Sequence, residues 1–106
     1  MNVNNDIWEQ DDTQTLARAL AVMSDTNDVQ NFLRDVMTEK EIIEISARLR
    51  AATMLSQGKK YSEIIVTTKL SSRTVARISD WLQNGSGGYR QVIEAHHAHL
   101  PPARAE

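Results

Sequence analysis

The chain has 106 residues, no cysteine and a formal net charge of −2, which fits one domain and excludes a disulfide framework or a Cys-ligated metal site. No apolar run approaches transmembrane length and the N-terminus lacks a basic, apolar signal pattern, so cytoplasm is the expected location and no membrane partner is expected. The small net charge conceals an asymmetry. Residues 1–46 carry three Lys and Arg against ten Asp and Glu, residues 47–78 carry seven against one, and residues 79–106 carry two against three. A −7 segment thus precedes a +6 segment, and a basic footprint confined to one stretch is what an anionic partner requires.

In chain order, residues 1–12 read as a flexible acidic arm whose large apolar groups are Ile7 and Trp8. Asp11 and Asp12 within it read as a solvated pair. A first helix is expected over 13–23, with Leu16, Leu20 and Met23 on one face beside Ala17 and Ala21. Ser24, Asp25, Thr26 and Asn27 break it and supply caps. A second helix follows over 28–37, with Val29, Phe32, Leu33 and Val36 inward. Thr38-Glu39-Lys40-Glu41 is a capping box, in which hydroxyl and carboxylate each satisfy a free backbone N–H. The helix it opens should be the longest, ending near Gln57 with Gly58 as a left-handed stop. Ile42, Ile45, Leu49 and Ala52 form its stripe, widened by Ile43, Ala47 and Met54, which suits burial against several helices. Glu44 and Arg48 are spaced to pair across one turn.

Residues 59–84 carry the densest signal. A short helix over 62–68 turns Ile64 and Ile65 inward, with Tyr61 at its start, and the β-branched pair Thr67-Thr68 favours a stop. Lys69 sits where such a turn favours glycine in a left-handed conformation, at a cost of roughly 1 kcal/mol. Leu70 plugs the turn into the core and Ser71 is an N-cap for the next helix. Val75, Ile78 and Leu82 recur at spacings of three and four and mark that helix's buried stripe. Ser72, Arg73, Ala76 and Arg77 fall away from the stripe, with Thr74 at its edge. The pattern is that of a helix-turn-helix over about 61–84, whose second helix enters the DNA major groove. Arg73 is the candidate for a bidentate contact with guanine, worth about 1–3 kcal/mol of discrimination, and Arg77, one turn on, for positioning against the backbone. Asn84-Gly85-Ser86-Gly87-Gly88 is a break, a last helix is expected over 89–97 with Tyr89, Val92 and Ile93 inward, and 98–106 reads as a tail.

Other constellations carry no chemistry. His96, His97 and His99 contain no i, i+4 pair and lack further ligands in a defined relation to them, so no metal site is expected. The glycines at 85–88 follow no strand and match neither a P-loop nor a dinucleotide fingerprint. No nucleophile has a base and an orienting partner, so an enzyme is not expected.

Phe32-Leu33-Arg34-Asp35 before Thr38 and Glu41, Arg48-Leu49-Arg50, Gly58, Tyr61-Ser62-Glu63-Ile64, then Ser71, Thr74, Arg77, Leu82, Asn84-Gly85 and Gly88-Tyr89 stand in a familiar order. Across residues 16–94 the chain resembles the Trp repressor family, and more closely its Trp-repressor-like, YerC/YecD-type branch. The resemblance implies an all-α, multi-helix, intertwined homodimer that presents two helix-turn-helix units to a two-fold operator. It puts Ser72, Arg73 and Ala76 on base-reading positions and Thr74 and Arg77 on backbone-contacting ones. Ser62 falls near phosphate, and Lys60 and Ser71 complete the expected DNA-binding set. Arg48 and Arg77 match the two arginines that hold the tryptophan corepressor. Ile78, however, replaces the glycine that makes room for the indole, so the expectation is no cofactor, with L-tryptophan disfavoured and any small-molecule effector unknown. Two functional readings follow. One is a homodimeric DNA-binding transcriptional regulator, a repressor by resemblance, with double-stranded DNA as partner. The other is a helical protein–protein adaptor that keeps the hairpin without the DNA function.

Overall fold

The computed structural model describes residues 5–99, which form seven α-helices and, among the described residues, no strand. These are α1 (Asn5–Trp8), α2 (Asp11–Ala21), α3 (Thr26–Val36), α4 (Glu39–Ser56), α5 (Tyr61–Thr68), α6 (Ser72–Asn84) and α7 (Gly88–His99). The outer parts of the expected arm and tail, residues 1–4 and 100–106, lie outside the described residues. The chain divides into two compact units, and the division falls within α4, between Ile42 and Ile43.

In the first unit, α1 and the early start of α2 differ from the expected arm. Asp11 and Asp12 occupy the first turn of α2, where carboxylates are stabilised by the positive end of the helix dipole. Thr13 Oγ1 donates to the carbonyls of Ile7 and Gln10, and Gln14 Nε2 donates to the carbonyl of Trp8 at 2.7 Å, which ties α1 to α2. Helix α3 starts two residues earlier than expected because Asp25 is its cap, accepting from the backbone N–H of Asn27 at 2.8 Å. Neither α2 nor α3 has a buried residue, although both carry the apolar stripes read from the sequence.

The capping box at the head of α4 forms in both directions. The Thr38 N–H donates to Glu41 Oε1 at 2.9 Å, and the Glu41 N–H donates to Thr38 Oγ1 at 3.1 Å. The helix ends in a Schellman arrangement. Gly58 takes φ 81°, its N–H donates to the carbonyl of Leu55, and the Lys59 N–H donates to that of Met54. In the second unit the buried part of α4 is Ala51, Ala52 and Met54. Ile43 and Ile45, expected inward, are 63% and 55% exposed. Burial thus falls in the C-terminal half of α4, where Ala51 and Ala52 are fully buried. Ile64, Val75 and Ile78 complete the buried cluster, with Leu55, Ile65, Leu70, Tyr89 and Ile93 packed against it. Leu82 is also buried.

The end of α6 rests on one glycine. A side chain at Gly85 would collide with the carbonyl oxygen and the indole ring of Trp81. The Gly85 N–H meanwhile donates to that same carbonyl at 2.8 Å. Arg90 Nε on α7 donates to the carbonyl of Leu82 at 3.0 Å and satisfies another of the helix's terminal acceptors. Gly85→Ala should therefore destabilise the protein by about 1–3 kcal/mol through overpacking. Urea denaturation of the variant measures this, and an unchanged midpoint would remove the steric account.

Candidate nucleic-acid interface

Helices α5 and α6 pack on each other and are joined by Lys69, Leu70 and Ser71. Lys69 adopts φ 62° and ψ 18°, a left-handed conformation that costs a lysine what it would not cost glycine. Lys69 thus takes the left-handed conformation that the sequence pattern assigned to this turn. It is held from both sides. The Lys69 N–H donates to the carbonyl of Ile65 at 2.8 Å, and Thr68 Oγ1 donates to the carbonyl of Ile64 while accepting from the Leu70 N–H. Leu70 is half-buried against the core.

Ser71 caps α6 as its sequence position implied. Its Oγ accepts from the Thr74 N–H at 3.1 Å and donates to Thr74 Oγ1 at 3.0 Å. Both hydroxyls are thereby engaged with each other, and Thr74 is half-buried. Ser72, Arg73, Ala76 and Arg77 are exposed. Ala76 and Arg77 lie three and four residues after Arg73, and Asp80 lies four and three residues after them, so the four share one face of α6 opposite Val75, Ile78 and Leu82. Lys60 and Ser62 are exposed at the start of α5. The ion pair found among the described residues is Arg48 with Glu44, at 2.8 Å. Arg73 and Arg77 are not in it, and both residues are exposed.

Arg48 and Arg77 meet at a cleft of about 300 Å³ lined also by Thr74, Ile78, Trp81, Ser86, Gly87, Gly88 and Tyr89. The Nε of Arg48 is buried in the chain and has no hydrogen-bond partner. Ile78 is only 2% exposed, so its bulk belongs to the core and forms the floor of the cleft. Sequence reasoning named the two arginines and Ile78 but missed Trp81, Tyr89 and the 86–88 turn. Trp81 follows Arg77 by one helical turn, which was the available signal. The turn was legible only as a break, because Gly87 takes φ 87° to bring α7 back beside α6. Among the described residues no group of His, Cys, Asp and Glu is placed to hold a metal ion. The side chains of His97 and His99 lie outside the described ones. Among the described residues no helix is long and apolar enough to cross a membrane.

The model of the Trp repressor protein family matches residues 11–97. The chain belongs to the Trp repressor family. An uncharacterized protein of Bacillus subtilis (strain 168), YerC, is 28% identical over 79 residues, covering 74% of this chain and 76% of YerC. The crystal structure of a TrpR-like protein from Eubacterium eligens ATCC 27750 superposes with a TM-score of 0.81 at 28% identity, covering 91% of this chain and 98% of that one. A solved structure from Staphylococcus aureus shares the fold with a TM-score of 0.81 at 24% identity, over 95% and 99% of the two chains. The all-α, Trp-repressor-like architecture read from the sequence is therefore the architecture of the family, a helical fold of transcription-regulator type.

The left-handed lysine in the turn makes a measurable claim. Lys69→Gly should stabilise the protein by up to about 1 kcal/mol, because relief of the left-handed strain outweighs glycine's greater unfolded-chain entropy, and Lys69→Val should destabilise it, since a β-branched residue tolerates that conformation least. Thermal or denaturant unfolding of the two variants should move in opposite directions. Equal shifts would mean that the turn is relaxed in solution.

Proposed function

We propose that this chain is a homodimeric, sequence-specific DNA-binding transcriptional regulator, a repressor, which reads the major groove with α6. The observation that carries the reading is the exposed α6 face, with Arg73 and Arg77 outside any ion pair, on a helix whose opposite side is locked into the core. Arg73 and Ala76 are the base readers, with Ser72 beside them. Arg77, Lys60 and Ser62 hold phosphates, and Ser71 and Thr74 act through the cap that aims the first turn of α6. The amino-terminal end of that helix is already suited to anionic oxygens. Dimerisation is supported by α2 and α3, whose apolar stripes leave Leu16, Leu20 and Val36 exposed. A second copy is the natural cover for such stripes in a domain of this size.

An effector role for the cleft is a separate part of the proposal. Its lining side chains supply two guanidinium groups, one with an unpartnered N–H, and these suit a carboxylate. No carboxylate lines it to pair with the ammonium group of an amino acid. Ile78 occupies the floor where the indole of tryptophan needs space. Tryptophan is therefore not the effector on this reading. Adding L-tryptophan at millimolar concentration should leave the melting temperature unchanged, whereas a ligand at 100 times its Kd would add about 2.7 kcal/mol. A rise of several degrees would reinstate it.

The decisive experiment for DNA binding is retention of a random-sequence DNA pool by the purified protein at moderate salt, followed by sequencing. A two-fold motif should emerge. Arg73→Ala should relax the preference at one position of each half-site and cost about 1–3 kcal/mol there. Arg77→Ala should weaken binding to all sequences alike and lower the slope of log affinity against log salt by about one unit per half-site. No retention even at low salt would favour the adaptor reading.

A further inference from the structure

Asp80 is the one carboxylate on α6 and stands on the same face as Arg73 and Arg77. It lies in the C-terminal half, toward the negative end of the helix dipole, and the last turn has no basic residue to offset it. Nor does it pair with Arg77, one turn back. Its Oδ1 instead accepts from Asn84 Nδ2 at 3.0 Å, which holds the carboxylate toward the C-terminal end of the exposed face. The face is thus cationic in its first half and anionic in its second, with the two charges left separate. Packing within the chain gives no reason for this arrangement, because Asp80 is exposed.

We infer that Asp80 is a specificity-determining residue that acts by repulsion. The inference rests on the DNA-reading role proposed for α6. A cationic helix can lie flat along any phosphate backbone, which gives binding without sequence preference. With Asp80 about 10 Å behind Arg73 along the axis, that flat pose presses a carboxylate against phosphate. Entering the groove tip first keeps Arg73 and Ala76 on the base edges and lifts Asp80 away from the backbone. The carboxylate therefore penalises the non-specific pose more than the specific one, which is discrimination achieved by a repulsive element.

The test is Asp80→Asn, which keeps the shape of the side chain and its capacity to bond Asn84 while removing the charge. Binding of full-length protein would be measured on random-sequence duplex and on the site recovered by selection, at low and at high salt, with unfolding curves to establish that the variant is folded. On random duplex at low salt the variant should bind about three- to fivefold more tightly. On the selected site it should change by less than about twofold, and the difference should vanish at high salt as screening removes it. Equal tightening on both DNAs, or no change on either, overturns the inference while leaving DNA binding intact. Weaker binding on the selected site alone also overturns it, because Asp80 would then be accepting from a base amino group. Failure of the wild-type protein to bind any DNA at low salt is a distinct result and removes the DNA-reading role itself.

Discussion

Ile64 on α5 and Val75 on α6 are fully buried, in a cluster with Ala51 and Ala52 of α4. That packing sets the orientation of everything on the outer side of α6. Removing apolar surface from water at Val75, Ile78 and Leu82 leaves the helix one rotational setting about its axis. In that setting Arg73, Ala76, Arg77 and Asp80 face outward. Ala51 and Ala52 are fully buried in that packing. A bulkier residue at either position would push the hairpin away from α4 and weaken the constraint that aims the exposed face. The chemistry on that face is supplied by side chains that do no packing, and the packing side chains supply no chemistry.

The connections are made rigid by unusual backbone rather than by bulk. Lys69 accepts a left-handed conformation because hydrogen bonds from Thr68 and Lys69 back to α5 and the burial of Leu70 over-determine it. Gly58 and Gly87 occupy similar conformations where their missing side chains make this cheap. Gly85 has a negative φ and is required for space, since Trp81 sits against it. Together these positions hold α5, α6 and α7 at short separations along the chain. They also bring Arg48, Arg77, Trp81 and Tyr89 around one cleft. Through Arg77 and Thr74 that cleft shares residues with the proposed DNA-binding surface.

Charge is partitioned along the chain with little cancellation by pairing. The acidic stretch supplies helix N-terminal residues and caps, as Asp11, Asp12, Asp25 and Glu41 do, and Glu44 offsets Arg48. The basic stretch leaves Arg73 and Arg77 unengaged. A single pI averages these roles away, which is why the net charge of −2 says so little about this molecule.

Much of the local structure was legible in the residues themselves. The Thr38–Glu41 box, the Gly58 stop, the Ser71 cap and the Val75, Ile78 and Leu82 stripe depend on interactions within a few residues, and sequence spacing specifies those. The family match covers the helices that these signals delimit. The early starts of α2 and α3 were missed because acidic and Asx residues signal both helix caps and loops, and only the observed hydrogen bonds separate the two. Tertiary structure alone decided that Ile43 and Ile45 are exposed while Ala51 and Met54 are buried, since a wide apolar stripe does not say which part of it finds a partner. It also decided that Trp81 and Tyr89 wall a cleft and that Asp80 turns to Asn84 rather than to Arg77. Each of those outcomes depends on which of several equally spaced neighbours a side chain meets, and only the packed chain selects among them.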